Sequence, residues 1–274
     1  MKKNQALKYL LYLVLISIAL LTMAPFLVSV SASLKPAEKA LEWPPNLIPS
    51  PFTLDNYAKV WQVSPFFPKW LVNSVFLAIV HVICQLLFCS MAGYAFARLS
   101  FPGKKLLFLA TLGSMMIPAQ ATMISNYAIA NSLGWVNTFY AVIVPGAAGA
   151  FGIFLMTQFF KGIPRELEEA AHIDGCSRLL IFWRIILPLA TPALGALAIF
   201  SFQGSWNGFM WPLIVLNTPE NFTLPLGLNY FRSEYATDWA LVLAGSMFNS
   251  VPIILIFLFF QRYFIKGIAT TGLK

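Results

Sequence analysis

The sequence predicts an all-α membrane protein with six transmembrane helices and both termini cytoplasmic. Three observations carry that reading. Hydrophobic residues make up 59% of the 274 and charged residues 10%, against roughly 25% charge in a soluble domain. Mean hydropathy is +0.74. The charges that do occur fall between long charge-free windows. An ordinary soluble fold and a disordered chain are both excluded. The net charge of +8 does not point to nucleic acid, because the basic residues sit between apolar runs.

A spanning helix takes about 20 mostly apolar residues. Residues 9–34 carry no charge, and residues 70–97 carry none beyond the neutral His81. Residues 106–160 are charge-free for 55 positions, enough for two helices, with a polar break expected at Asn131-Ser132-Leu133-Gly134-Trp135-Val136-Asn137. Residues 185–219 and 239–261 supply the last two windows. Lys2, Lys3 and Lys8 precede the first window as they would a signal peptide. The apolar run is longer than the ~7–15 residues of such a segment, so it reads as a retained helix.

Lys and Arg orient the set. With the N-terminus inside, thirteen of the 18 lie on the cytoplasmic side, and Lys35, Lys39, Lys59, Lys69 and Arg232 lie outside. The expected organisation is a cytoplasmic tail at 1–8, the first helix at 9–34 and an outer Pro-rich loop at 35–69. A transmembrane core follows at 70–262, and a cytoplasmic tail at 263–274. Residues 217–238 form a second outer loop. Cys84 and Cys89 are five apart and face different sides of a helix, while Cys176 stands alone. All three read as small packing residues.

Residues 161–184 become a cytoplasmic loop. Pro164 suits a first helical turn. Glu166, Glu168 and Glu169 complement the helix dipole behind it, and Gly175 suits a C-terminal cap. The spacing predicts a helix from Pro164 to Asp174, closed by Gly175 and too polar to span.

Glu169-Ala170-Ala171, then Gly175, then Ile185 and Leu187-Pro188 resemble the EAA loop of ATP-binding-cassette (ABC) importer permeases at every spaced position. Asp174 before the glycine fits too, and Cys176 departs from the usual Ala. Ser33-Leu34-Lys35-Pro36, Phe52-Thr53-Leu54-Asp55-Asn56-Tyr57, Asn73-Ser74 and Ala92-Gly93-Tyr94-Ala95-Phe96-Ala97-Arg98 resemble the carbohydrate-uptake branch. So do Met116-Ile117-Pro118, Trp206-Asn207-Gly208-Phe209-Met210-Trp211-Pro212-Leu213 and Thr223-Leu224-Pro225-Leu226-Gly227-Leu228. The chain is similar to the six-helix subunit of a maltose-type importer over nearly its whole length.

The resemblance implies a type I ABC-importer transmembrane fold and a non-catalytic permease subunit carrying a sugar or oligosaccharide by alternating access. It implies that 164–175 is a coupling helix seated on a cytoplasmic ATPase, with Glu169 meeting a basic group there. Ala170 and Ala171 would allow close approach, Asp174 would cap or pair locally, and Gly175 would make the turn. The implied partners are a second permease subunit, an ATPase dimer, an extracytoplasmic solute-binding protein, the sugar and the lipid bilayer. ATP and Mg belong to the ATPase, since this chain has no GxxxxGK[ST] pattern. The 217–238 loop would reach the binding protein, though its aromatic residues also suit a membrane interface.

Gln203, Trp206, Asn207 and Trp211 have the mixed aromatic and amide chemistry of a sugar pathway, with helix packing as the alternative. His81, inside a window, reads as a packing histidine. Three other readings compete. A secondary transporter is expected to bury charges along its path, and no Asp, Glu, Lys or Arg lies deep in a window. An ABC permease for a non-sugar solute would share the EAA loop; the Phe52–Tyr57 and Trp206–Leu213 strings favour sugars. An intramembrane enzyme lacks its nucleophile and carboxylate patterns.

Overall fold

The structure is a computed structural model describing residues 2–234 and 238–271, with side chains described for 7–62, 64–229 and 238–259. Residues 235–237 of the expected second outer loop lie outside the described residues, as do 272–274 and the side chains of the whole 263–274 tail. The helices in order are α1 Lys2–Ser33, α2 Asp55–Val63, α3 Phe67–Arg98, α4 Lys104–Ser114, α5 Ala119–Ser132, α6 Phe139–Ile143 and α7 Ala150–Lys161. Then come α8 Glu166–Ile173, α9 Arg178–Ile181, a π-helical segment Phe182–Ile186, α10 Leu187–Leu189, α11 Thr191–Trp206, α12 Met210–Val215, α13 Leu224–Glu234 and α14 Trp239–Thr271. The chain divides into two compact units, residues 1–68 with 227–251, and residues 69–226 with 252–274.

In the first unit, α1 exposes its apolar side chains from Leu7 to Leu27, as a helix solvated by lipid would. Its last carbonyls need partners. Asn56 Nδ2 donates to Ser33 O at 2.8 Å and Lys35 O at 2.7 Å. Lys35 is buried at 2% exposure, and its ammonium reaches Glu42 at 3.1 Å and Asn46 O at 2.8 Å. The Pro-rich stretch is therefore tied, not loose. The expectation of an irregular loop over 35–69 is corrected by α2: the prolines cluster at 36–51, and residues 52–64 hold none. Asp55 begins that helix, and Tyr57 and Trp61 meet Phe248 edge-on at 5.9 and 5.7 Å.

Three helices are long and apolar enough to cross a membrane: Leu7–Ser33, Phe67–Arg98 and Trp239–Phe259. Two more spans arise if each bent pair counts as one, α4 with α5 at 104° and Arg178–Leu189 with Thr191–Trp206 at 79°. This gives up to five spans among the described residues. Six uninterrupted helices are not what the charge-free windows form. The expected break after Asn131 is present, and there are further breaks at 115–118, 144–149, around Ala190 and at 207–209. Pro118, Pro145 and Pro192 stand at three of them, where a missing N–H and ring sterics oppose a continuous helix.

One break is closed by a side chain far away in sequence. Gln85 of α3 donates to Gly146 O at 2.7 Å and accepts from Gly149 N at 3.3 Å. Cys89 Sγ bonds the same amide oxygen at 3.0 Å. Unpaired backbone groups cost several kcal/mol in lipid, roughly, so Gln85 is what lets α6 and α7 stay separate. The core of this second unit packs Tyr94, Ala97, Met156, Phe160, Ala171 and Phe182 together. Gly93 permits that approach: a Cβ there would lie 2.7 Å from Met156 Cβ.

Candidate functional site

α8 starts at Glu166, two residues after Pro164, and ends at Ile173. Its C-terminus is a Schellman motif. Cys176 N donates to Ala171 O at 3.0 Å and Gly175 N to His172 O at 3.1 Å, with Gly175 at φ 81°. That pattern requires a left-handed residue after the cap, which glycine adopts without a Cβ penalty. Asp174 is the cap residue, contributing backbone and no side-chain bond. Ser177 Oγ then accepts from Leu180 N at 3.3 Å and opens α9. Four residues thus separate the two helices.

The two faces of α8 differ. Ala171 is 6% exposed and packs into the core. Glu168, three residues earlier and on the same face, turns inward beside it. Glu168 Oε1 lies 2.6 Å from Arg98 Nε, and Glu168 Oε2 accepts from Tyr94 OH at 3.0 Å. Arg98 also donates to Ile163 O, in the turn before α8. The last turn of α3 therefore holds both α8 and the segment leading into it. Glu169, Ala170, Ile173, Asp174 and Gly175 are all exposed. A hollow of about 300 Å3 lies alongside, walled by Arg98, Arg165, Glu168, Glu169, His172 and Arg178.

Of the spaced motif, then, Ala171 belongs to the chain's own core and Ile185 and Leu187 pack against it half-buried; Glu169, Ala170, Asp174, Gly175 and Pro188 stay on the surface. The sequence reading placed Tyr94 and Arg98 only in a family-like string and Glu168 only at the helix dipole, and did not join the three. Tyr94 and Arg98 stand at i, i+4 on the end of α3, and Glu168 shares a face with Ala171; those spacings were the available signal.

The four residues grouped as a sugar pathway are not brought together. Trp206 is buried at 1% exposure and its ring stacks on Phe202 at 5.4 Å. Gln203 is exposed on a different wall, near Ile253 and Phe257. Asn207 is exposed and caps α11 through its backbone. Trp211, half-buried on α12, donates Nε1–H to Ala141 O at 2.8 Å. His81, read as a packing residue, lies half-buried on the wall of a cavity that Trp211 also lines.

The expected outer loop at 217–238 is largely structured. Asn137, at φ 63°, accepts on Oδ1 from Asn217 N and Thr218 N at 2.9 and 3.1 Å. Asn73 donates to Glu220 O and Phe222 O, each at 2.9 Å, and Ser74 Oγ accepts from Leu224 N at 2.7 Å. These pins lead into α13 within the segment read as the second outer loop.

The described helices define a polytopic α-helical membrane protein. The chain belongs to the family described as the inner membrane component of binding-protein-dependent transport systems, whose pattern matches residues 4–270. It is 40% identical to the arabinooligosaccharides transport system permease protein AraQ of Halalkalibacterium halodurans, over 100% of this chain and 99% of that protein. The AraQ of Bacillus subtilis is 37% identical over 94% of this chain and 92% of its own length. Among solved structures, a chain of a bacterial ABC transporter involved in the import of the acidic polysaccharide alginate superposes with a TM-score of 0.85. That chain is 23% identical, and the match covers 96% of this chain and 98% of that one.

Proposed function

We propose that this chain is the permease subunit of an ABC importer that carries a sugar or oligosaccharide across the cytoplasmic membrane. Its similarity to two arabinooligosaccharide permeases along nearly the whole length supports a neutral saccharide cargo. With α6 and α7 together making a sixth crossing beside the five spans, both termini lie inside, a reading supported by the thirteen-to-five distribution of Lys and Arg. α8 is then cytoplasmic and docks on a separate ATPase dimer, which binds ATP and Mg. A second permease subunit completes the pathway, and an extracytoplasmic binding protein delivers the sugar.

One observation carries the coupling role: α8 is fixed on its inner face and free on its outer face. The Arg98–Glu168 pair and the buried Ala171 join it to α3 and the core. Glu169, Ala170 and the 87%-exposed Ile173 remain for a partner. A displacement of the ATPase surface that moves α8 therefore moves the end of α3 with it. Alternating access follows as the attached helices swing between inward and outward openings.

The test is uptake into sealed vesicles holding the chain with its co-expressed partners. ATP on the ATPase side drives accumulation of arabinotriose presented with the binding protein, and omission of ATP abolishes it. Accumulation driven by an ion gradient without ATP contradicts the reading.

A further inference from the structure

Three helix breaks meet around one cavity of about 270 Å3 in the second unit. The bend between α4 and α5 brings Thr122 and Asn126, the α6–α7 break brings Gly146, and the α11–α12 break brings Gly204, Ser205 and Gly208. His81 of α3 and Trp211 of α12 complete the wall. Broken helices at membrane depth persist where they are buried in protein or line a cavity, and in secondary transporters their ends are where cargo is held. Among the described residues, the side chains of His81, Asn126 and Ser205 have no hydrogen-bond partner. They offer an imidazole, an amide and a hydroxyl to whatever enters. The Nε1–H of Trp211 is committed to Ala141 O, so its apolar ring surface is what remains for a ligand. The lining holds no Asp, Glu, Lys or Arg.

A saccharide ring presents hydroxyls at its edge and C–H groups on its faces, which matches these donors, acceptors and the indole. A carboxylated sugar would bring a charge with no cation to meet it, at a desolvation cost. The volume is below the ~300–1,000 Å3 of drug-sized pockets, which suits one monosaccharide unit of a chain. We propose that the cavity bounded by His81, Asn126, Ser205 and Trp211 is a subsite on this chain for one uncharged saccharide unit. The proposal rests on the sugar-import reading.

The complete transporter, in vesicles with ATP and binding protein, is assayed with arabinotriose, maltotriose, galactotriose and the acidic alginate trisaccharide. Wild type takes up at least one neutral trisaccharide in preference to the acidic one. Asn126→Ala and Ser205→Ala raise the apparent KM for that sugar about threefold to tenfold, the equivalent of one net hydrogen bond each, and leave kcat near wild type. A Cβ at Gly204 meets nothing within 4 Å, so Gly204→Leu sets a bulky side chain at the cavity wall with room at its Cβ; it is expected to abolish uptake at normal membrane content. In a variant freed of native cysteines, Gly204→Cys is protected from a thiol reagent by the neutral sugar and not by the acidic one. Uptake of none of the four removes the sugar reading itself. Uptake of a neutral sugar with unchanged KM in the alanine variants and no protection at Gly204→Cys overturns the subsite alone. Preference for the alginate trisaccharide overturns its neutral character.

Discussion

Arg98 Nε and Glu168 Oε1 lie 2.6 Å apart across 70 residues of sequence, with side chains 5% and 18% exposed. This pair is the joint between α8 and the end of α3. Removing one partner of a buried ion pair costs about 3–5 kcal/mol, because the other charge is left uncompensated.

Arg98→Leu and Glu168→Leu are each expected to lower the thermal stability of the purified complex. The double variant is expected to lose less than the sum of the two. A double-mutant cycle measures the difference, expected at about 0.5–3 kcal/mol for contacting residues. Strict additivity would remove the joint.

The Gly175 series separates backbone strain from crowding. A Cβ at this position has nothing within 4 Å, yet φ is 81°. The cost to an L-residue is conformational, roughly 1–3 kcal/mol. Gly175→Val is expected to leave membrane insertion normal and to impair ATPase association and uptake. Gly175→Ala is milder, and Gly175→Asn milder still, since Asn tolerates the left-handed region. Measured uptake in the order Gly, Asn, Ala, Val checks this, and equal uptake across the four contradicts it.

Gln85 is a stability element of the broken α6–α7 region. Gln85→Leu orphans Gly146 O and Gly149 N, at about 1–3 kcal/mol for each unsatisfied group. The expected result is a lowered unfolding temperature with helical content unchanged. A wild-type unfolding temperature would show that water or another group replaces the amide.

The legible parts of this protein were those set by local spacing. Gly175 could be read as a cap because the acidic turn, the apolar pair and the glycine all lie within ten residues. Helix continuity could not. A charge-free window reports apolarity alone, whereas the break at 144–149 depends on Gln85, some 60 residues earlier, to satisfy its backbone. The roles of Glu168 and Glu169 were likewise hidden. Neighbouring carboxylates point to different faces, and only the position of Arg98 shows which one is internal. Trp206 and Trp211 look equivalent in sequence, but the break at 207–209 turns one into the packing and the other toward a cavity.

Topology has a direct check at Ile173, which is 87% exposed on α8. In a background freed of native cysteines, Ile173→Cys is expected to resist an impermeant thiol reagent in intact cells and to react once the membrane is opened. Labelling in intact cells would place α8 on the wrong side for coupling.

The measurement closest to the central claim is ATPase co-purification and sugar uptake by Glu169→Lys. Glu169 is exposed and has no ion-pair partner among the described residues, so reversing its charge leaves the chain's own packing untouched. If α8 is the coupling helix, the variant reaches the membrane at normal levels, loses the ATPase on mild detergent extraction and fails to accumulate sugar. A compensating acidic substitution on the ATPase surface restores both. Normal uptake by Glu169→Lys, with the ATPase still bound, would show that α8 is an ordinary connector between helices and would contradict the account.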